Sequence, residues 1–234
     1  THLDLVLVNG DIPVTDLESD AEPVRVFRNL AAEGSEGRFA DVGRDAGLDA
    51  VGPLLARGSA AADYDNDGDV DVLVLRGAWL GDHGTHPNSL LRNNGDGTFE
   101  DVTEPSGLLA YHPSQTGVWT DFNNDGWLDL FVGNESGAGT GGMGKARPPG
   151  AERRHPSNLY LNNGPDATGV VTFTDVARRV GIDVNDFVKG AAWGDVDNDG
   201  LRDLYVSILG QPNRLYLNQL FEQDNGSQVV ASGF

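Results

Sequence analysis

The sequence contains no cysteine in 234 residues, which rules out a disulfide framework and any thiolate-ligated metal site. Positive charge is scarce as well: 16 Lys and Arg stand against 36 Asp and Glu, for a formal net charge of −20 at pH 7. Such a surface repels phosphate backbones, so nucleic acid is excluded as a partner and divalent cations become the natural counterions. No apolar run reaches the roughly 18 to 20 residues of a membrane-spanning helix. Thr1 opens in the middle of a repeating pattern without an initiator or signal segment, and a processed or partial chain is expected. A Gly-x-Ser-x-Gly elbow, a P-loop and a His-Glu-x-x-His pair are all missing, and no catalytic residue is assigned.

Long helices are disfavoured too. The 32 glycines fall in turn-like clusters, where they permit tight bends and weaken helix interiors, while a hydrophobic fraction of 38% suffices for a packed core. The expectation is an all-β fold of many short strands.

What is present in abundance is one pattern. Asp63-Tyr64-Asp65-Asn66-Asp67-Gly68-Asp69-Val70-Asp71 alternates carboxylates, bends at a glycine and runs into the apolar Val72-Leu73-Val74-Leu75. It returns from Asp121 to Asp129 and from Asp195 to Asp203, each time before another apolar run. Calcium takes six to eight oxygens in flexible geometry, and such a loop supplies them from alternate positions. The expected ligands are Asp63, Asp65, Asp67 and Asp71 with the carbonyl of Asp69; Asp121, Asn123, Asp125 and Asp129 with that of Trp127; and Asp195, Asp197, Asp199 and Asp203 with that of Leu201. An EF-hand is excluded, because position 12 is Val74, Val132 or Val206 rather than a bidentate Glu. Three structural Ca2+ ions are expected. Asp4 has the place of a ninth-position ligand in a fourth copy.

Two further units recur with the loops. A small-residue strand precedes each loop, at 58–62, 117–120 and 190–194, and small residues suit strands that crowd together near an axis. Motifs such as Leu90-Leu91-Arg92-Asn93 and Phe99-Glu100-Asp101-Val102 follow, joined by Asn94-Gly95-Asp96-Gly97, a hairpin turn that tolerates positive φ. One repeat is therefore a four-stranded antiparallel blade: inner strand, acidic loop, apolar second strand, outer hairpin. The chain divides into β-propeller repeats over 1–220, as a partial blade 1–57, blades 58–116 and 117–189 and a partial blade 190–220, with a tail or outer strand over 221–234. About three to four blades of a larger propeller are expected, with Gln228 to Ala231 as a candidate outer strand for the last. Gly133 to Ser157 reads as a mobile insertion between the second and third strands of its blade.

With these residues in view, the chain resembles the FG-GAP and VCBS-like calcium-binding repeats of bacterial surface proteins, integrin α-subunit propellers and cartilage-acidic-protein relatives. The resemblance covers nearly the whole chain and implies a propeller, usually seven-bladed, whose acidic loops join the first two strands of each blade. Strict Phe-Gly and Gly-Ala-Pro signatures are absent, so integrin-like ligand specificity is not implied.

Beyond the loops, Trp79, Tyr111 and His112 are placed on the face opposite the acidic loops as candidate partner-binding residues. Lys145, Arg147, Arg153 and Arg154, followed by His155, form the only basic concentration; a solvated insertion is the preferred reading, and docking to an acidic partner, anionic glycan or lipid headgroup is the alternative. His83 and His86 beside Asp82 have metal-like spacing but read better as solvated loop residues. Trp119 and Trp193, each two residues before a loop, read as packing residues. The leading functional expectation is a non-catalytic extracellular or periplasmic module that binds a protein or glycan, in adhesion or as a scaffold. Alternatives are an accessory subunit of a membrane-associated complex, and a polysaccharide lyase or phospholipase-type hydrolase built on a propeller.

Overall fold

A computed structural model describes residues 5–7, 25–29, 38–46, 56–80, 84–136, 155–222 and 228–231. Among them there is no helix; the fold is a series of antiparallel sheets in chain order. The first sheet holds β1 (Leu5–Leu7), β2 (Arg25–Asn29) and β3 (Phe39–Asp41). The second holds β4 (Ala56–Ala62), β5 (Asp71–Arg76), β6 (Ser89–Asn93) and β7 (Phe99–Asp101). The third repeats it with β8 (Ser114–Thr120), β9 (Asp129–Asn134), β10 (Asn158–Pro165) and β11 (Val171–Asp175). The fourth holds β12 (Val188–Gly194), β13 (Asp203–Ile208) and β14 (Arg214–Tyr216), and β15 (Gln219–Glu222) pairs with β16 (Gln228–Ala231). In every sheet neighbours in sequence are neighbours in space, the meander of a propeller blade.

The sheets stack face to face, which is why the second strands are apolar without alternation. All six residues of β5 and all six of β9 are buried, because both faces of each strand are covered. Leu73, Leu75 and Leu90 of one blade pack with Leu130, Val132 and Tyr160 of the next. Phe131 and Leu159 pack in turn with Val188, Leu204 and Val206. The inner strand β8 lies against both β4 and β12.

The hairpin read from Asn94-Gly95-Asp96-Gly97 is present, with Gly95 and Gly97 at φ of 72° and 92° and the Asn94 N–H donating to the Thr98 carbonyl at 3.0 Å. The inner strands are longer than the small-residue pattern indicates. They begin at Ala56, Ser114 and Val188, each with a register shift that leaves Arg57, Gln115 or Lys189 as the extra residue. A bulge places a long polar side chain in the strand and so hides its first residues from pattern reading. The segment Gln228–Ala231 is a strand, but it pairs with Gln219–Glu222 and not with β14; β15 starts two residues after β14 and offers its own ladder. The 133–157 segment lies between β9 and β10 as expected, and most of it, with its mobility, falls outside the described residues, as do Asp4 and His83.

Crowding between blades yields a direct prediction. A Cβ on Gly133 would lie 2.5 Å from Val188 Cγ1 and 2.7 Å from Thr116 Cγ2, whereas one on Gly190 meets nothing nearer than 3.9 Å. Gly133→Val is expected to cost about 2–3 kcal/mol by overpacking, while Gly190→Ala is tolerated. Equilibrium urea unfolding of the two variants measures the difference.

Candidate metal centres and the opposite face

Each acidic loop joins an inner strand to the second strand of its blade, so the loops line one end of the stack. Their shape is set by two left-handed residues. Asn66, Asn124 and Asn198 in the fourth position have φ of 59°, 59° and 62°, and Gly68, Gly126 and Gly200 in the sixth have 95°, 91° and 89°. Asn is among the few side chains that tolerate this region, and glycine enters it freely. The first-position Asp closes the bend: the Gly68, Gly126 and Gly200 N–H groups donate to Asp63, Asp121 and Asp195 Oδ2 at 3.1, 2.9 and 3.0 Å.

The ninth-position Asp anchors the loop to its blade. Asp71, Asp129 and Asp203 are almost fully buried. Their Oδ2 atoms accept the N–H groups of Tyr64, Phe122 and Val196 within their own loops, and their Oδ1 atoms accept those of Asn93, Asn162 and Asn218 at 2.8 Å each. Burial pushes the Asp71 and Asp129 carboxyls up to about 7, against the lowering effect of those backbone donors. Burial, and then the neighbouring Asp67, also push Asp65 up.

The donor set fits a hard cation. Carboxylate oxygens of Asp63, Asp65 and Asp71 lie within 4.8 Å of one another, as do those of Asp195, Asp197 and Asp203. Oxygens about 2.3–2.6 Å from a shared Ca2+ span distances of this size. Asp63 Oδ1 is buried with no hydrogen-bond partner, a lone pair left for something else to use. The second loop, with Asn123 in third position, does not gather three carboxylates in this way, and Asn123 bonds to Asp125 instead. The fifth-position carboxylates Asp67, Asp125 and Asp199 stand outside these clusters, each accepting the N–H of Asp69, Trp127 or Leu201 at 2.9 Å.

One set of residues escaped sequence reading. The third-strand asparagines, visible only as a recurring Asn after the Leu/Tyr motif, stitch the loops together. The Asn162 amide donates to Leu128 O of its own loop at 3.1 Å and to Tyr64 O of the preceding one at 3.0 Å, and Asn218 donates to Phe122 O at 2.7 Å. Trp119 and Trp193 pack as expected, stacked on Tyr64 and Phe122 with centroids 6.2 and 6.3 Å away.

At the other end, the candidate partner residues separate into two groups. Trp79 is half exposed, has φ of 71°, and donates its N–H to the Glu135 carboxylate. Glu135 is completely buried and paired with Lys189, whose ammonium lies 3.1 Å from the Trp79 ring centroid and 4.1 Å from that of Phe187. Burial pushes the Glu135 carboxyl up and the Lys189 ammonium down, each against the pull of its partner. Tyr111 is exposed beside Pro87, and His112 meets His155. Lys145, Arg147, Arg153 and Arg154 lie outside the described residues.

Antiparallel blades that each turn from inner to second strand through an acidic loop define a repeat protein of the β-propeller class. Residues 63–132, from the first loop to the end of the second copy's apolar run, match the FG-GAP-like repeat. Over 96% of its length the chain is 27% identical to cartilage acidic protein 1 of Xenopus tropicalis and 30% identical to that of Homo sapiens, spanning 31% and 28% of those proteins. The chain thus carries an FG-GAP-like repeat and is similar to cartilage acidic protein 1, of whose length it spans less than a third.

Proposed function

We propose that the chain is a non-catalytic, calcium-stabilised set of propeller blades that acts outside the cytoplasm as a protein- or glycan-binding scaffold. The observation that carries this reading is the pair of three-carboxylate clusters, each closed by a buried ninth-position Asp that ties loop to blade. Asp63, Asp65 and Asp71 would hold one ion, Asp195, Asp197 and Asp203 another, and Asp121, Asn123 and Asp129 a third. Ca2+ there supplies charge neutralisation and cross-linking; the chain's own residues shape the loop and fix it to the third strand. Similarity to proteins named for cartilage supports an extracellular setting. No helix among the described residues is long and apolar enough to cross a membrane. We further propose the division into blades near residues 57, 116 and 189.

With the loop carboxylates committed to structure, binding falls to the opposite end, where Trp79 and Tyr111 are exposed. Affinity capture from extracellular material tests this. A partner retained in Ca2+, released by chelator and lost with Trp79→Ala plus Tyr111→Ala is the expected result. Retention indifferent to the double substitution would move the surface elsewhere, and cleavage of a glycan or phospholipid by the protein would overturn the non-catalytic reading.

A further inference from the structure

We infer that His112 and His155 form a binding site for a divalent transition-metal cation of the Zn2+ or Cu2+ kind, separate from the acidic loops and at the opposite end of the blades. The two Nδ1 atoms face each other at 3.2 Å, with ring centroids 5.4 Å apart and planes at 70°. Zinc–imidazole bonds of about 2.0–2.1 Å place two nitrogens of one tetrahedral shell roughly 3.3–3.4 Å apart. Two imidazoles therefore already hold their donor atoms nearly at the edge length of such a shell.

The pair is preorganised by a buried residue that neither sequence pattern nor the acidic loops account for. Asn134, fully buried at the end of β9, donates through its amide to the carbonyl of Pro156, next to His155, at 2.7 Å. Its Oδ1 accepts the Ser114 hydroxyl at 2.8 Å, and that serine lies two residues beyond His112. One side chain thus fixes the backbone on which both histidines stand, although they are 43 residues apart in sequence. Supporting-shell order of this kind is what a metal site requires of its scaffold.

The electrostatics agree with the geometry. Burial, then the neighbouring His155, hold the His112 imidazole below its ordinary range, so it is neutral and able to ligate at physiological pH, while the Asp175 carboxylate adds a negative field that favours a cation. Metal entry displaces the bridging Nδ1 proton, and the ring that held it takes up a proton at Nε2 from solvent, so both rings stay neutral with their protons on Nε2 and both Nδ1 lone pairs turned to the metal. Ligand softness separates the two ends: all-oxygen loops suit Ca2+, and imidazole suits Zn2+ and Cu2+.

The test uses the whole chain in millimolar Ca2+, which occupies the acidic loops. Cu2+ added to one equivalent is expected to give an electron paramagnetic resonance spectrum split by two nitrogens. Zn2+ is expected to shift the ring-nitrogen resonances of His112 and His155 together. His155→Ala should weaken Zn2+ binding by about tenfold or more and leave the Ca2+-dependent melting temperature unchanged; His112→Gln serves as the second variant. Ring resonances that stay in place through a Zn2+ titration, or His155→Ala binding Zn2+ as tightly as the parent, would show that the pair is only a hydrogen bond between two imidazoles.

Discussion

Calorimetric melting should give a shallower pH slope with calcium than without. In chelator the midpoint is expected to fall as pH rises from 4 to 8; in 5 mM Ca2+ it is expected to fall clearly less. Asp71 and Asp129 carry the effect. Their folded-state carboxyls are raised to about 7 by burial, above the ordinary value of 3.8. In the metal-free protein their stabilising contribution is therefore fully present below the unfolded value and lost as pH climbs through 7. A difference of about three units corresponds to on the order of 4 kcal/mol for each group. For a chain of this length that is roughly a 10–15 °C fall in midpoint per group. Calcium offsets part of that loss because it takes the ionised carboxylate. At dissociation constants of about 10⁻⁴ to 10⁻³ M each ion stabilises by about 1–2 kcal/mol, the relieved repulsion included. Parallel curves in chelator and calcium would remove the acidic loops from any role in stability.

The second large effect is expected at Asn162. Its side chain gives to Tyr64 O and Leu128 O and accepts the Gly164 N–H at 2.8 Å, all at a position 2% exposed. Asn162→Ala leaves two buried polar groups and one partly buried one without that partner and should cost about 3–5 kcal/mol, because each unmet group keeps its own desolvation penalty. Asn163→Ala is the control. It is exposed, bonds only to Thr172 and Thr174, and should cost under about 1 kcal/mol. Urea unfolding compares them. In addition, Asn162→Ala should weaken calcium binding at the preceding loop as well as its own, which a mutation acting only within its blade would not do.

Sequence and structure meet most closely where chemistry is local. Asp63 to Asp71 could be read as a loop because every constraint on it, from the carboxylate spacing to the glycine bend, lies within nine residues, and the apolar run of β5 announces a strand covered on both faces. Contacts between distant segments were not legible. Nothing near Asn162 in sequence points to Tyr64, 98 residues earlier. Glu135 reads as one more surface acid until the fold buries it against Lys189 and Trp79. Arg57, Gln115 and Lys189 interrupted the small-residue pattern, so a bulge passed for a strand end. His155 was grouped with the basic residues before it, because its partner His112 belongs to a different connection.

The ties made by Asn162 and Asn218 between blades both run in one direction, from a later blade back to the loop of an earlier one. Chains are made from the amino end, and repeats fold against neighbours as these emerge. The loop at 63–71 therefore receives its last hydrogen bond only after Asn162 has been synthesised, and the loop at 121–129 waits in the same way for Asn218. During synthesis the acidic-loop end matures one blade behind the growing chain, and the carboxylates of each loop take their final places only when the next blade has formed.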